Sequence, residues 1–131
     1  MIIVDTTVWI DYFGGRATRH VEYLDRELGR RRFGLLDLIL CEVLQGVRDE
    51  PASERVVRDL RVFEILSSGG EEQVLAAALH YRALRRQGIT VRKTIDCWIA
   101  TFCVRQGHSL LHQDADFDPF EKFLGLSVVH P

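Results

Sequence analysis

Short, solid apolar runs alternate along this chain with longer stretches in which apolar residues recur every three or four positions. Met1-Ile2-Ile3-Val4 is apolar throughout and ends on Asp5, the pattern of a buried strand that delivers an acid to a helix start. Val8-Trp9-Ile10-Asp11-Tyr12-Phe13 predicts a short helix stopped by Gly14-Gly15, and Val21 to Leu28 repeats at helical spacing up to Gly29. Phe33-Gly34-Leu35-Leu36 predicts a second strand, and Asp37 is placed to cap a helix that ends near Gly46. A loop holding Pro51 then leads to a predicted helix over 52–58, a strand over 62–66 and a break at Ser67-Ser68-Gly69-Gly70. The long helix predicted over 71–87 has acids first and arginines last, which matches its macrodipole. Thr94 is placed to cap the next helix and Gly107 to end it, and 109–112 and 127–130 predict two more strands. Strands alternating with helices imply a mainly parallel central sheet covered on both faces, a three-layer α/β/α domain.

With 131 residues, 47% of them hydrophobic, the chain can bury a real core, and residues 1–131 are expected to form one domain without repeat or linker. No apolar stretch approaches the roughly 20 residues that cross a bilayer, and the first strand lacks the basic leader of a signal peptide, so a cytosolic protein is expected. Cys41, Cys97 and Cys103 fall in helical patterns without CxxC spacing and read as buried thiols rather than disulfides or zinc ligands. A net charge of -2 gives no overall attraction to nucleic acid, which leaves only local patches to bind phosphate. Arginines do cluster, at Arg30-Arg31-Arg32, around Arg82, Arg85 and Arg86, and at Arg92-Lys93. The first two clusters read as solvated faces, whereas Arg92-Lys93 stands just before an acid.

That acid, Asp96, is one of four that interrupt or end apolar runs, with Asp5, Glu42 and Asp114. A carboxylate among apolar residues asks for a cation. In a parallel sheet Asp5 and Asp114 both emerge at strand carboxyl ends, and a helix start brings Asp96 near them, so one cleft can collect these acids. Carboxylates so gathered repel one another unless a hard cation compensates, which points to an oxygen-rich Mg²⁺ or Mn²⁺ site. A divalent metal there can activate water toward a phosphodiester, and two ions can stabilise both attacking and leaving oxygens. A receiver-type phosphorylation domain is disfavoured because neither Lys93 nor Lys122 follows a late apolar strand. A dehalogenase-type phosphatase lacks the second Asp that should stand two residues beyond Asp5, where Thr7 is found.

The segments Ile3-Val4-Asp5-Thr6-Thr7-Val8-Trp9-Ile10, the isolated Glu42, Thr94-Ile95-Asp96-Cys97-Trp98-Ile99-Ala100, and Leu110-Leu111-His112-Gln113-Asp114-Ala115-Asp116-Phe117-Asp118 together resemble the PIN-domain ribonucleases, particularly the VapC toxins of prokaryotic toxin-antitoxin pairs. The resemblance spans essentially the whole chain, with its motifs in order. It implies that Asp5, Glu42, Asp96 and Asp114 form an acidic quartet that holds one or two Mg²⁺ or Mn²⁺ ions and positions water, with Asp116 as a fifth, more variable acid. Thr6 matches the hydroxyl residue after the first acid, and Thr7 a position where relatives carry Asn or Ser. His112 reads as a structural histidine at a strand end rather than a base. The implied reaction is hydrolysis of tRNA, rRNA or mRNA to 5′-phosphate and 3′-hydroxyl ends, with Arg92 and Lys93 holding flanking phosphates and Thr6 touching one phosphate oxygen. The resemblance also implies a VapB-like antitoxin partner and a homodimer. Trp9 and Trp98 are expected in the core.

Overall fold

A computed structural model describes residues 1–131. It contains β1 (Ile2–Val4), α1 (Thr6–Phe13), α2 (Arg19–Glu27), β2 (Phe33–Leu36), α3 (Asp37–Gln45), α4 (Glu50–Leu60), β3 (Glu64–Leu66), α5 (Glu71–Arg86), α6 (Thr94–Gln106), β4 (Ser109–Leu111), a 3₁₀ turn (Ala115–Phe117), α7 (Asp118–Leu124) and β5 (Ser127–Val128). The five strands form one sheet in the order β3-β2-β1-β4-β5, and every pairing is parallel. Parallel neighbours need crossover connections, and the intervening helices supply them. On one side α1 packs with α2 and α3, and on the other α5 packs with α6 and α7, which completes the expected α/β/α layering.

β1 and β4 hold the middle of the sheet with Ile3 and Val4 paired to Leu110 and Leu111, all fully buried. The chain walks from β1 outward through β2 to β3, then returns to the other side of β1 as β4. The point where strand order reverses therefore lies between β1 and β4, and the crevice beyond their carboxyl ends is where open α/β sheets bind ligands.

Beneath the sheet the core is a continuous cluster of 25 buried apolar residues. Trp9 is fully buried within it and stacks or edges against Tyr12, Phe13 and Phe63, as its place in an apolar helix predicted. Trp98 departs from the core expectation. It is only half-buried, and its indole donates to Ser68 Oγ at 3.2 Å. Cys97 and Cys103 are buried free thiols as expected, whereas Cys41 is exposed because it lies on the outer face of α3.

Several boundaries moved. Pro51 sits inside the first turn of α4 rather than in a loop, a position where its missing N–H costs nothing. Asp37 and Thr94 are the first residues of their helices, not the caps, which are Leu36 and Lys93. Asp37 instead accepts from the backbone N–H of Leu38 and from the hydroxyl of Ser68, tying the start of α3 to the end of β3. Gly34 is buried in β2, and a Cβ there would stand 2.8 Å from the Glu64 carbonyl oxygen and 2.7 Å from Met1 Sδ, so only glycine lets the neighbouring strand close in.

Candidate active site

Asp5 follows β1 directly and caps α1. Its Oδ2 accepts the Thr7 backbone N–H at 3.1 Å and the Thr7 hydroxyl at 2.7 Å, the ordinary work of an N-cap carboxylate. It is only 3% exposed. Burial pushes its carboxyl up to about 6, the Thr7 bonds pull the other way, and the charge of Glu42 adds to the rise.

Glu42 reaches the site from α3. The Thr6 hydroxyl donates to Glu42 Oε1 at 2.9 Å, so the residue after the first acid orients the second. A hydroxyl has one proton, and this one is committed to Glu42. Thr6, expected to touch a phosphate oxygen, thus has its hydroxyl proton directed to a neighbouring carboxylate.

Asp96 lies in the first turn of α6 and Asp114 just past β4, where its Oδ1 caps the 3₁₀ turn by accepting from Asp116 N at 2.9 Å. Carboxylate oxygens of Asp96, Asp114 and Asp116 come within 4.8 Å of one another, close enough to share one cation. Asp5 stands outside that trio but adjoins it, because its charge and that of Asp114 both raise Asp96. For Asp96 burial is the leading cause, followed by Asp114 and then Asp5, and together they push it up to about 6. Asp96 Oδ2 is buried and makes no hydrogen bond. A buried carboxylate with an orphaned oxygen, on a residue gathered with two further acids, is what a divalent cation satisfies, and the all-oxygen donor set suits Mg²⁺ or Mn²⁺. Asp116, whose ligand role was the least secure of the five acids, sits in the trio.

His112 stands just past β4 and is buried. Its Nδ1 accepts the Asp114 backbone N–H at 3.1 Å and its ring lies 4.8 Å from Phe117, while burial lowers its basicity. An acceptor Nδ1 places the proton of a neutral ring on Nε2, so this histidine fixes the loop of Asp114.

Of the two basic residues expected to hold phosphate, Arg92 is exposed and donates to Asp116 Oδ1 at 2.7 Å. Lys93 is the exposed cap residue of α6, and its charge lowers Asp96. The arginines at 30–32 behave as solvated surface: Arg31 pairs with Glu27 and Arg32 with Glu64.

Sequence reasoning passed over Gln113 and Asp11. Gln113 Nε2 donates to Asp11 Oδ2 at 2.8 Å, and Gln113 N donates to Thr7 Oγ1 at 3.1 Å, beside the acids on both sides. Gln113 stands in a polar stretch and Asp11 is a single acid within the apolar run of α1, and neither local pattern points to the other.

A parallel α/β/α sheet with carboxylates gathered at its switch point is the architecture of an acidic-centred α/β domain. The PIN-domain profile matches residues 2–122. VapC ribonuclease Mb1587 of Mycobacterium bovis and ribonuclease VapC11 of Mycobacterium tuberculosis are each 35% identical to it over 132 residues, spanning 98% of this chain and 97% of theirs. The chain thus belongs to the PIN-domain family, among the VapC-type ribonucleases. Solved structures agree in fold. VapBC2 from Rickettsia felis, bound to a DNA fragment from its promoter, superposes with a TM-score of 0.73 at 15% identity, covering 98% of both chains. FitAcB from Neisseria gonorrhoeae does so with a TM-score of 0.78 at 16% identity, over 100% of this chain and 98% of the other.

Proposed function

We propose that residues 1–131 form one endoribonuclease toxin domain that requires Mg²⁺ or Mn²⁺, acts in the cytoplasm and is silenced by a VapB-like antitoxin. The observation that carries this reading is the trio Asp96, Asp114 and Asp116 at the switch point of the sheet, together with the buried, unpartnered Oδ2 of Asp96. When bound, one or two divalent ions supply Lewis-acid activation of water and neutralise charge developing on the phosphate.

The residues divide the remaining work. Asp96, Asp114 and Asp116 hold the cation, and Asp5, locked by Thr7, completes the negative field around it. Glu42 is held by Thr6 through Oε1, which leaves Oε2 to accept a hydrogen bond from the attacking water. Attack in line with the departing 3′ oxygen leaves a 5′-phosphate and a 3′-hydroxyl. Lys93 and Arg92 bind flanking phosphates, and Arg92 does so by exchanging the Asp116 carboxylate for a substrate oxygen.

Two kinds of partner fit the surface. On α5, Val74, Leu75 and Leu79 form an exposed apolar strip with Glu71 and Glu72 at one end and Arg85 and Arg86 at the other. A second copy laid antiparallel on this strip sets acids against arginines at both ends and buries the apolar residues between, which is the isologous arrangement of a homodimer. The antitoxin is expected to place a basic side chain among the acids, where it competes with the metal.

Purified, partner-free protein incubated with total cellular RNA and Mn²⁺ should give discrete 5′-phosphate products. Both EDTA and Asp5→Asn should abolish them. Intact RNA in the presence of bound metal would make the chain a catalytically silent RNA- or partner-binding module instead.

A further inference from the structure

The acids at the switch point come from segments that the sheet itself does not hold together. The last backbone rung between β1 and β4 is Asp5 N–H to the Leu111 carbonyl at 3.0 Å, and Asp114 lies three residues beyond it on an irregular stretch. Side chains continue where the ladder stops. The Thr7 hydroxyl donates its proton to Asp5 Oδ2 at 2.7 Å and accepts the Gln113 backbone N–H at 3.1 Å. Those directions are fixed by chemistry, because an amide N–H only donates and an ionised carboxylate only accepts. Thr7 therefore joins the first acid to the residue immediately before Asp114.

The side chain of Gln113 holds this joint from outside. Its Nε2 donates to Asp11 Oδ2 at 2.8 Å and lies 3.5 Å from the Thr7 carbonyl oxygen. Both partners are acceptors, so the orientation of the amide follows from them. Asp11 is in turn held by Arg16 at 2.8 Å through its other oxygen. Gln113 is exposed and lies outside the apolar core, so core packing does not account for it. A line of hydrogen bonds runs from α1 through Gln113 and Thr7 to Asp5.

We infer that Gln113 is a positioning residue that pins the Asp114 loop to α1 through Asp11 and thereby sets the affinity of the acidic centre for its divalent cation. The inference rests on the metal-centre reading above. Residues that orient metal ligands from behind change affinity by about ten- to a hundredfold when removed. Here the ligands keep their own cap and turn bonds, so the lower end applies.

Gln113→Leu keeps the backbone N–H and the side-chain length but removes the amide. Titration of Mn²⁺ into the partner-free protein, followed by calorimetry, should show affinity reduced about tenfold with the thermal midpoint unchanged. Asp11→Asn keeps an acceptor for Gln113 and should bind Mn²⁺ within about twofold of wild type, whereas Asp11→Leu should resemble Gln113→Leu. In the absence of metal, amide exchange across 114–117 should accelerate in Gln113→Leu alone of the single-site pair Gln113→Leu and Asp11→Asn. Equal Mn²⁺ affinity in wild type and Gln113→Leu would overturn the inference, as would unchanged exchange across 114–117. A wild-type protein that binds no Mn²⁺, with faster exchange in Gln113→Leu, would sink the metal-centre reading and with it the role in affinity.

Discussion

In the metal-free protein Asp5 and Asp96 both titrate near 6, well above an unperturbed aspartate. Between about pH 4 and 6 the native state keeps protons that the unfolded chain has already released, so stability falls as pH rises through that window. Asp96→Asn removes the penalty. In EDTA it should stabilise the protein by about 2 kcal/mol at pH 7.5 and by almost nothing at pH 4, read from urea denaturation at the two pH values. Asp5→Asn should follow the same sign, and the double variant should gain less than the sum because the charge of Asp5 is one of the causes that raise Asp96. Equal effects at both pH values would show that the carboxylates are not strained by burial. Arg92 makes a different residue-scale prediction. Arg92→Ala should slow RNA cleavage and flatten its salt dependence while thermal stability holds, since exposed ion pairs contribute little to folding. Unchanged cleavage kinetics would leave Arg92 as a partner of Asp116 only.

Among the elements, β2 is the least tolerant of change. Gly34→Ala drives a methyl against the backbone of β3, and denaturant unfolding should report a loss of about 1–3 kcal/mol. A neutral result would mean that β3, an edge strand with Glu64 and Ile65 exposed, simply moves away. The elements themselves were readable because their apolar periods were clean: β1, β2 and β4 as solid runs, α5 by its charge polarity. Four of the site acids were readable for the opposite reason, as single carboxylates set against apolar runs. What was not readable depends on backbone direction rather than residue type. Asp37 and Thr94 carry cap chemistry but sit one residue inside their helices, and Pro51 belongs to the first turn of a helix, where a backbone N–H has no intrahelical acceptor. Gln113 and Asp11 meet across the ends of β4 and α1, and nothing in either local sequence announces the other. Thr6 and Arg92 were legible as site residues, but that each spends a hydrogen bond on a neighbouring acid is visible only in space.

For the whole molecule, the proposed two-fold contact lies on the apolar strip of α5. Leu79→Glu should turn a homodimer into a monomer in sedimentation analysis without lowering the thermal midpoint, because Leu79 is 51% exposed and not part of the core. A wild-type protein already monomeric at high concentration would remove the proposed two-fold contact. The strand order has a consequence for synthesis. Thr7 and Gln113 meet across 106 residues of sequence, and the central pairing of β1 with β4 closes nearly the same interval. A ribosome making this chain releases the first acid early and the last ones near the end, and long-range parallel pairing is among the slower steps of folding. The acidic centre is thus never complete on the nascent chain: a truncated or stalled product that stops before β4 carries Asp5, Glu42 and Asp96 but neither Asp114 nor Asp116, and the translating cell meets a harmless fragment.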